Sequence, residues 1–263
     1  MSQSTNVSQL LKTAHAEGAL SKAATQALAI PDIGAEIEAA LGINVDDVVA
    51  SEVTLVTMLI DDSGSIRFAA GNTEAVREGH NTVLDALSES KQENSILVHT
   101  RYLNGRILYP YGFLKDAERM DAHNYNPNGG TPLYDQSVVV LGTVVAEYQR
   151  FVDNGVVARS VTLIVTDGHD EHSMNATAKT VRSIVKDLLG EKHIVAAMGI
   201  DDGNTDFQKI FGEMGIPDEW ILTPGNTKSE IRKAFGTFSK SAVRASQSAK
   251  SFSTTAAGGF ASP

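Results

Sequence analysis

The chain has 263 residues, 42% of them hydrophobic, enough to bury one substantial core without requiring a second. Its formal net charge is −10, from 22 Lys plus Arg against 32 Asp plus Glu, which disfavours nucleic acid and anionic membrane surfaces as partners. Cysteine is absent, which excludes disulfides, thiolate catalysis and zinc–thiolate sites together.

The opening stretch MSQSTNVSQLL has no basic region followed by an apolar run, and no segment is apolar for a membrane-spanning length. The expectation is a soluble cytoplasmic protein. Residues 1–50 read as an Ala-rich helical extension: Leu10, Leu11 and Ala14 fall at helical spacing, as do Ile33, Ile37 and Leu41 after the break at Pro31. Such an extension either covers the main domain or serves as a docking arm.

A domain over residues 51–246 follows, in which strand and helix alternate. VTLVTMLI (53–60) is a continuous apolar, β-branched run, as expected of a strand buried on both faces. Asn72 and Thr73 are capping candidates for a helix marked by Val76, Val83, Leu84 and Leu87. SILVHTRYLNGRILYPYG then places Asn104-Gly105 between two strand-like runs, a hairpin signal that makes one strand antiparallel, at an edge. After a polar loop (about 111–131), residues 133–152 form a helix apolar on most of its circumference. Further strands are read at 161–166, 193–200 and 219–223. Helices are read around Val181–Leu189 and Phe207–Met214, and one opens at the capping box Thr227-Lys-Ser-Glu230. The architecture predicted is a doubly wound, mostly parallel six-stranded α/β sheet with one antiparallel edge strand and helices on both faces. Residues 247–263, rich in Ser, Ala and Gly, read as a flexible tail.

Chemistry concentrates where apolar strands end in acids. LIDDSGSI (59–66) leaves the first strand with Asp61, Asp62, Ser63 and Ser65, and VTLIVT leads into Asp167 of TDGHD. Taken alone, DDSGS reads as a turn, a nucleophile, a phosphate cradle or a metal site. In an open parallel sheet, ligands sit beyond the carboxyl ends of neighbouring strands, so adjacency of these two strands would place both carboxylates in one crevice. Gly129 and Gly130 of GGTPLYD bring a further hydroxyl, Thr131, to the start of the buried helix. Two carboxylates and three hydroxyls suit a hard divalent cation such as Mg²⁺, which takes oxygen ligands and keeps several waters. Two aspartates neutralise the ion on paper, so an open coordination position would still attract an anion.

D-x-S-G-S (61–65), G-G-T-P-L (129–133) and T-D-G (166–168) together resemble the three pieces of the metal-ion-dependent adhesion site of von Willebrand factor A (VWA) domains. The resemblance spans roughly residues 50–245. It implies that Ser63 and Ser65 bind Mg²⁺ (with Mn²⁺ or Ca²⁺ as substitutes) through their hydroxyls. Asp61 and Asp167 would act largely through waters, and Thr131 directly in the ligand-ready state, while Asp62 fills the variable position. It also implies a partner protein that offers a Glu or Asp to the metal, and movements coupled to the final helix. Soluble intracellular members commonly act as adaptors, beside AAA+ ATPases or in tellurite-resistance-type stress systems, and membership among them is an analogy, since nearly all VWA domains share the three motifs.

Competing readings are weaker. A nucleophile elbow needs glycine where Asp61 stands. A haloacid-dehalogenase-like phosphatase needs a second aspartate where Ser63 stands, and a response-regulator receiver needs a lysine that HIVAAMGIDD lacks. His169 and His172 flank Asp167 but lack a third zinc ligand, and read as surface loop residues. Asp201 and Asp202 read as caps of the next helix, or as added negative potential around the ion. The chain is therefore expected to be a binding module and not an enzyme. A metal-dependent phosphohydrolase in the same crevice and a structural subunit packing through residues 1–50 and the tail are the alternatives.

Overall fold

The computed structural model describes residues 6–29, 32–189 and 192–261. Six strands form a single sheet in the order β3-β2-β1-β4-β5-β6. These are β1 (Glu52–Ile60), β2 (Ile96–Tyr102), β3 (Ile107–Phe113), β4 (Val157–Thr166), β5 (His193–Gly199) and β6 (Ile221–Leu222). All neighbours pair in parallel except β2 and β3, the hairpin closed at Asn104-Gly105, where Gly105 has φ +88°. The six-stranded, mostly parallel sheet with one antiparallel edge strand is thus as expected.

The central strands carry apolar side chains on both faces because helices cover both. Helices α4 (Asn72–Ser88) and α8 (Lys228–Ser246) pack together on one face. They approach closely at Gly79, where an added Cβ would lie 2.1 Å from the Phe235 ring. Helices α5 (Leu133–Asp153) and α6 (Ala178–Leu188) cover the other face. α7 (Phe207–Glu213) contacts α6.

Residues 6–50 form α1 (Val7–Ala16), α2 (Lys22–Ala27) and α3 (Ile33–Glu38). They lie on α5 and α6 and bury Leu11, Ala14, Leu20, Ala24, Leu28, Ile33 and Ile37. Their apolar faces are used within the chain, which is the cover arrangement; Pro31 lies outside the described residues. This second layer is why α5 is apolar nearly all round: it is sandwiched between the sheet and the N-terminal helices.

The tail reading is corrected. Residues Ala249–Gly258 form α9, capped by Ser248, whose hydroxyl accepts the Ser251 N–H. Phe252 is fully buried, Trp220 Nε1 donates to Ala256 O, and Phe260 packs edge-on against Trp220. Ser/Ala/Gly composition suggested disorder, but Ala favours helix, small side chains allow close packing, and two aromatics supply the burial that the rest lacks. Residues 262 and 263 lie outside the described ones.

Two smaller readings shift. The N-cap of α4 is Gly71 in the left-handed region (φ +90°), rather than Asn72 or Thr73. The last strand is two residues long instead of five.

Candidate functional site

β1 and β4 are direct neighbours in register, with Ile60 opposite Val165. Asp61 therefore emerges beside Thr166, with Asp167 one residue beyond. β1 is followed by a connection to β2 on one side, and β4 by a connection to β5 on the other. The gap above these two strand ends is thus the place where a doubly wound sheet opens a crevice.

Asp61 is fully buried and acts as the organiser. Its Oδ1 accepts the Ser63 N–H at 2.7 Å, which folds the chain back at once. Its Oδ2 accepts Thr166 Oγ1–H at 2.6 Å and the Asp167 N–H at 3.3 Å, tying the two strand ends together. Its carbonyl accepts the hydroxyl of buried Tyr125 at 2.6 Å.

Above it lies a cluster of oxygens. Ser63 Oγ and Ser65 Oγ share a hydrogen bond of 2.8 Å; Ser65 Oγ donates to Asp167 Oδ1 at 2.7 Å and Ser63 Oγ at 3.4 Å. Ligand oxygens around an octahedral Mg²⁺ with bonds of about 2.1 Å stand about 3 Å apart. The spacing of these three oxygens fits that geometry.

Thr131 arrives on a separate loop that is stitched to the first. Gly64 N–H donates to Gly129 O, while Asn128 and Gly129 N–H groups both donate to Asp62 O. The Thr131 N–H donates to His172 Nδ1 at 2.9 Å, its carbonyl accepts the Glu171 and His172 N–H groups, and its hydroxyl makes no hydrogen bond among the described residues. Gly130 leaves room for the His172 ring, which an added Cβ would approach to 2.9 Å. The β4–α6 loop is in turn latched to the start of α5. Asp135 accepts N–H groups from Met174, Asn175 and Ala176, and Asp170 Oδ1 accepts the Tyr134 N–H.

Of the five residues singled out in the sequence, Asp61, Ser63, Ser65 and Asp167 converge through direct hydrogen bonds, and Thr131 lies two residues past Gly129, which pairs with Ser63 and Gly64. Asp62 turns away and accepts the Asn104 N–H at 3.0 Å. Sequence reasoning did not find Tyr125, Thr166 or His172 as supporting residues. Thr166 stands inside the T-D-G motif and could have been found there; Tyr125 sits in a polar loop with no pattern around it. The capping role given to Asp201 and Asp202 is corrected. Both bind N–H groups of their own loop, and Asp206 caps α7.

Burial dominates the electrostatics. Asp167 is pushed up to about 7, first by burial and then by the charge of Asp61. Asp61 is raised by burial against the lowering effect of its hydrogen bonds, and Asp62 reaches about 6, chiefly through burial. Asp202 adds a small upward push on Asp167, so its negative potential reaches the crevice. Carboxylates held close in a dry place favour whatever supplies positive charge, a proton or a cation. Among the described residues no group of three or more His, Cys, Asp or Glu is placed to hold a metal. A cation here would therefore rest on hydroxyls with two carboxylates, which suits a hard ion and not zinc.

The chain superposes on the pilus adhesin SpaC of Lactobacillus rhamnosus GG, in its open conformation, with a TM-score of 0.54 and 16% identity. The aligned region covers 73% of this chain and 30% of the adhesin, so the chain spans under a third of that protein's length. The chain has the VWA fold. The VWA domain of SpRpn10 aligns over 70% of this chain and 94% of its own length, at 10% identity and a TM-score of 0.49. Manganese-loaded TRAP of Plasmodium vivax aligns over 71% of this chain and 74% of its own, at 17% identity and a TM-score of 0.43. At such identities the likeness is one of fold. No protein-family model matches the sequence, and no curated protein matches it either. Among the described residues no helix is long and apolar enough to cross a membrane.

Proposed function

We propose that this VWA-fold chain is a divalent-cation-dependent protein-binding module, and not an enzyme. Ser63, Ser65 and Thr131 would hold Mg²⁺, or Mn²⁺ or Ca²⁺ in its place, through their hydroxyls. Asp61 and Asp167 would stand behind as charge and water-binding partners. The ion supplies a positive centre with room for an acidic side chain, Asp or Glu, of another protein. An adaptor role beside an AAA+ ATPase or in a stress-response complex, at a cytoplasmic address, follows the analogy drawn from the motifs.

The observation that carries this reading is the oxygen triad of Ser63, Ser65 and Asp167, spaced at 2.7–3.4 Å over the switch point between β1 and β4. The buried organiser Asp61 supports it, since it accepts four hydrogen bonds through its side chain and carbonyl and would orient the shell without filling it. The packing of α1–α3 and α9 on their own chain weighs against their serving as assembly arms. Calorimetric titration of the metal-free protein with Mg²⁺ is the test. Saturable binding that Ser65→Ala weakens at least about tenfold is expected. No binding at millimolar Mg²⁺, or Asp61-dependent hydrolysis of a phosphate ester, would replace this reading with another.

A further inference from the structure

The end of the sheet opposite the crevice carries a cleft of about 610 Å³, where the chain enters β1 and β2 and leaves β3. Its floor is apolar: Val49 and Ala50 precede β1, and Phe113 and Leu114 close β3. Val49 is 100% exposed, the most open large apolar side chain among the described residues. The rim is acidic. Asp47 and Glu93 line it and Asp46 stands beside Asp47; all three are exposed and form no ion pair with any described residue. Lys115 also lines the cleft, with its ammonium 5.5 Å from the centre of the Phe113 ring.

The opposite charge is gathered beside it. Residues 228–250 hold six Lys and Arg against the single acid Glu230, in a chain whose net charge is −10. Lys228 and Arg232, in the first turns of α8, pair with Glu78. Lys240, in the second half of α8, and Lys250, in α9, are exposed and form no ion pair with any described residue. This basic ridge adjoins the cleft, because Gln247 at the C-cap of α8 donates through Nε2 to Ser90 Oγ at 2.9 Å, two residues past Ser88 of the cleft wall. Beside Lys250, α9 exposes small side chains, Ala249, Ser253 and Ala257 among them.

We propose that two copies of this chain pair through this end. Lys240 and Lys250 of each copy face the acidic rim of the other, and α9 of each lies over the other's apolar floor. The charges select this occupant. A polyanion on the ridge would run into the acidic rim beside it, and a basic peptide in the cleft would meet the two lysines; a surface carrying both signs side by side suits both, and this chain has one. Because ridge and cleft are neighbours, a twofold axis between them satisfies both contacts in one encounter, which is the self-complementary arrangement of a closed dimer. At about 0.15 M salt fields fade beyond about 8 Å, so the local match outweighs repulsion between two net charges of −10. The crevice stays open, since β1 runs nine residues, about 30 Å, between the two ends. The pair therefore displays two crevices to one partner, while the pairing itself needs no metal.

The test is the mass of the full chain in EDTA, by sedimentation velocity across a range of protein and salt concentrations. Expected is a species of about twice the 28.0 kDa chain mass in about 0.1 M salt. Its Kd should rise about tenfold or more in about 1 M salt, where the screening length falls to about 3 Å. The Lys240→Glu, Lys250→Glu variant and the Asp47→Lys, Glu93→Lys variant should each keep the melting temperature and run as a monomer, because like charges then face each other. Mixed in equal amounts they should recover the pair, since each reversed surface meets its opposite. A chain that stays at 28.0 kDa at every concentration overturns the pairing, whether or not a Lys-rich peptide or a duplex oligonucleotide added as a probe binds to it. A pair that survives in either variant, or variants that do not recover it when mixed, overturns this interface. Masses that climb past the pair overturn the twofold arrangement.

Discussion

Lowering the pH should weaken Mg²⁺ binding at the crevice by a predictable factor. Asp167 lies near 7 without metal because it is buried and faces Asp61. At about pH 8 it is ionised roughly ten to one, whereas at about pH 5.5 it is protonated by about thirty to one. A cation that needs this carboxylate ionised should bind about 30-fold more weakly at the lower pH, or about 2 kcal/mol. Asp61 is raised as well, chiefly by burial, so its proton opposes the cation in the same direction. The assay is calorimetry at both pH values in two buffers of different protonation enthalpy, with close to one proton released per Mg²⁺ near pH 6. The sign extends to stability. These carboxyls hold protons in the folded state that the unfolded chain releases above its ordinary value of 3.8. The metal-free protein should therefore lose stability as the pH rises from about 4 to about 7, and Mg²⁺ should restore it above that window. Affinity constant within threefold from pH 8 to 5.5, or an unchanged pH profile in Asp167→Asn, would refute the reasoning.

Other consequences can be checked separately. Phe252→Ala should cost about 3–5 kcal/mol in a denaturant melt, because the ring is fully buried; a loss within 0.5 kcal/mol would return residues 247–261 to a flexible tail. Tyr125→Phe leaves the buried Asp61 carbonyl without its 2.6 Å partner and should cost about 1–3 kcal/mol. It should also weaken Mg²⁺ binding, measured by titration. Gly79→Leu forces a side chain into the Phe235 ring between α4 and α8, and should destabilise by about 1–3 kcal/mol or more in thermal unfolding. His172→Ala removes the acceptor for the Thr131 N–H and should raise hydrogen exchange at that amide by about tenfold while leaving global stability within about 0.5 kcal/mol.

Much of this protein was written in local pattern. The apolar runs at 53–60 and 161–166, the Asn104-Gly105 turn and the helical spacing around Val181 and Leu188 announce a doubly wound sheet, because burial on two faces and a tight Asn-Gly turn leave unmistakable local patterns. The three motifs announced the crevice, since strand ends in such a sheet open onto one edge. What stayed hidden depends on which distant surfaces meet. That β1 and β4 are neighbours in register, that Tyr125 reaches the Asp61 carbonyl, and that His172 steadies Thr131 are long-range facts with no local signature. The helix at 249–258 was masked for the same reason: its small residues are uninformative until Phe252 finds a pocket and Phe260 finds Trp220. Local propensity and patterning act between near neighbours along the chain, whereas pairing, burial and the fields that shift Asp61 and Asp167 exist only after the strands have chosen their places.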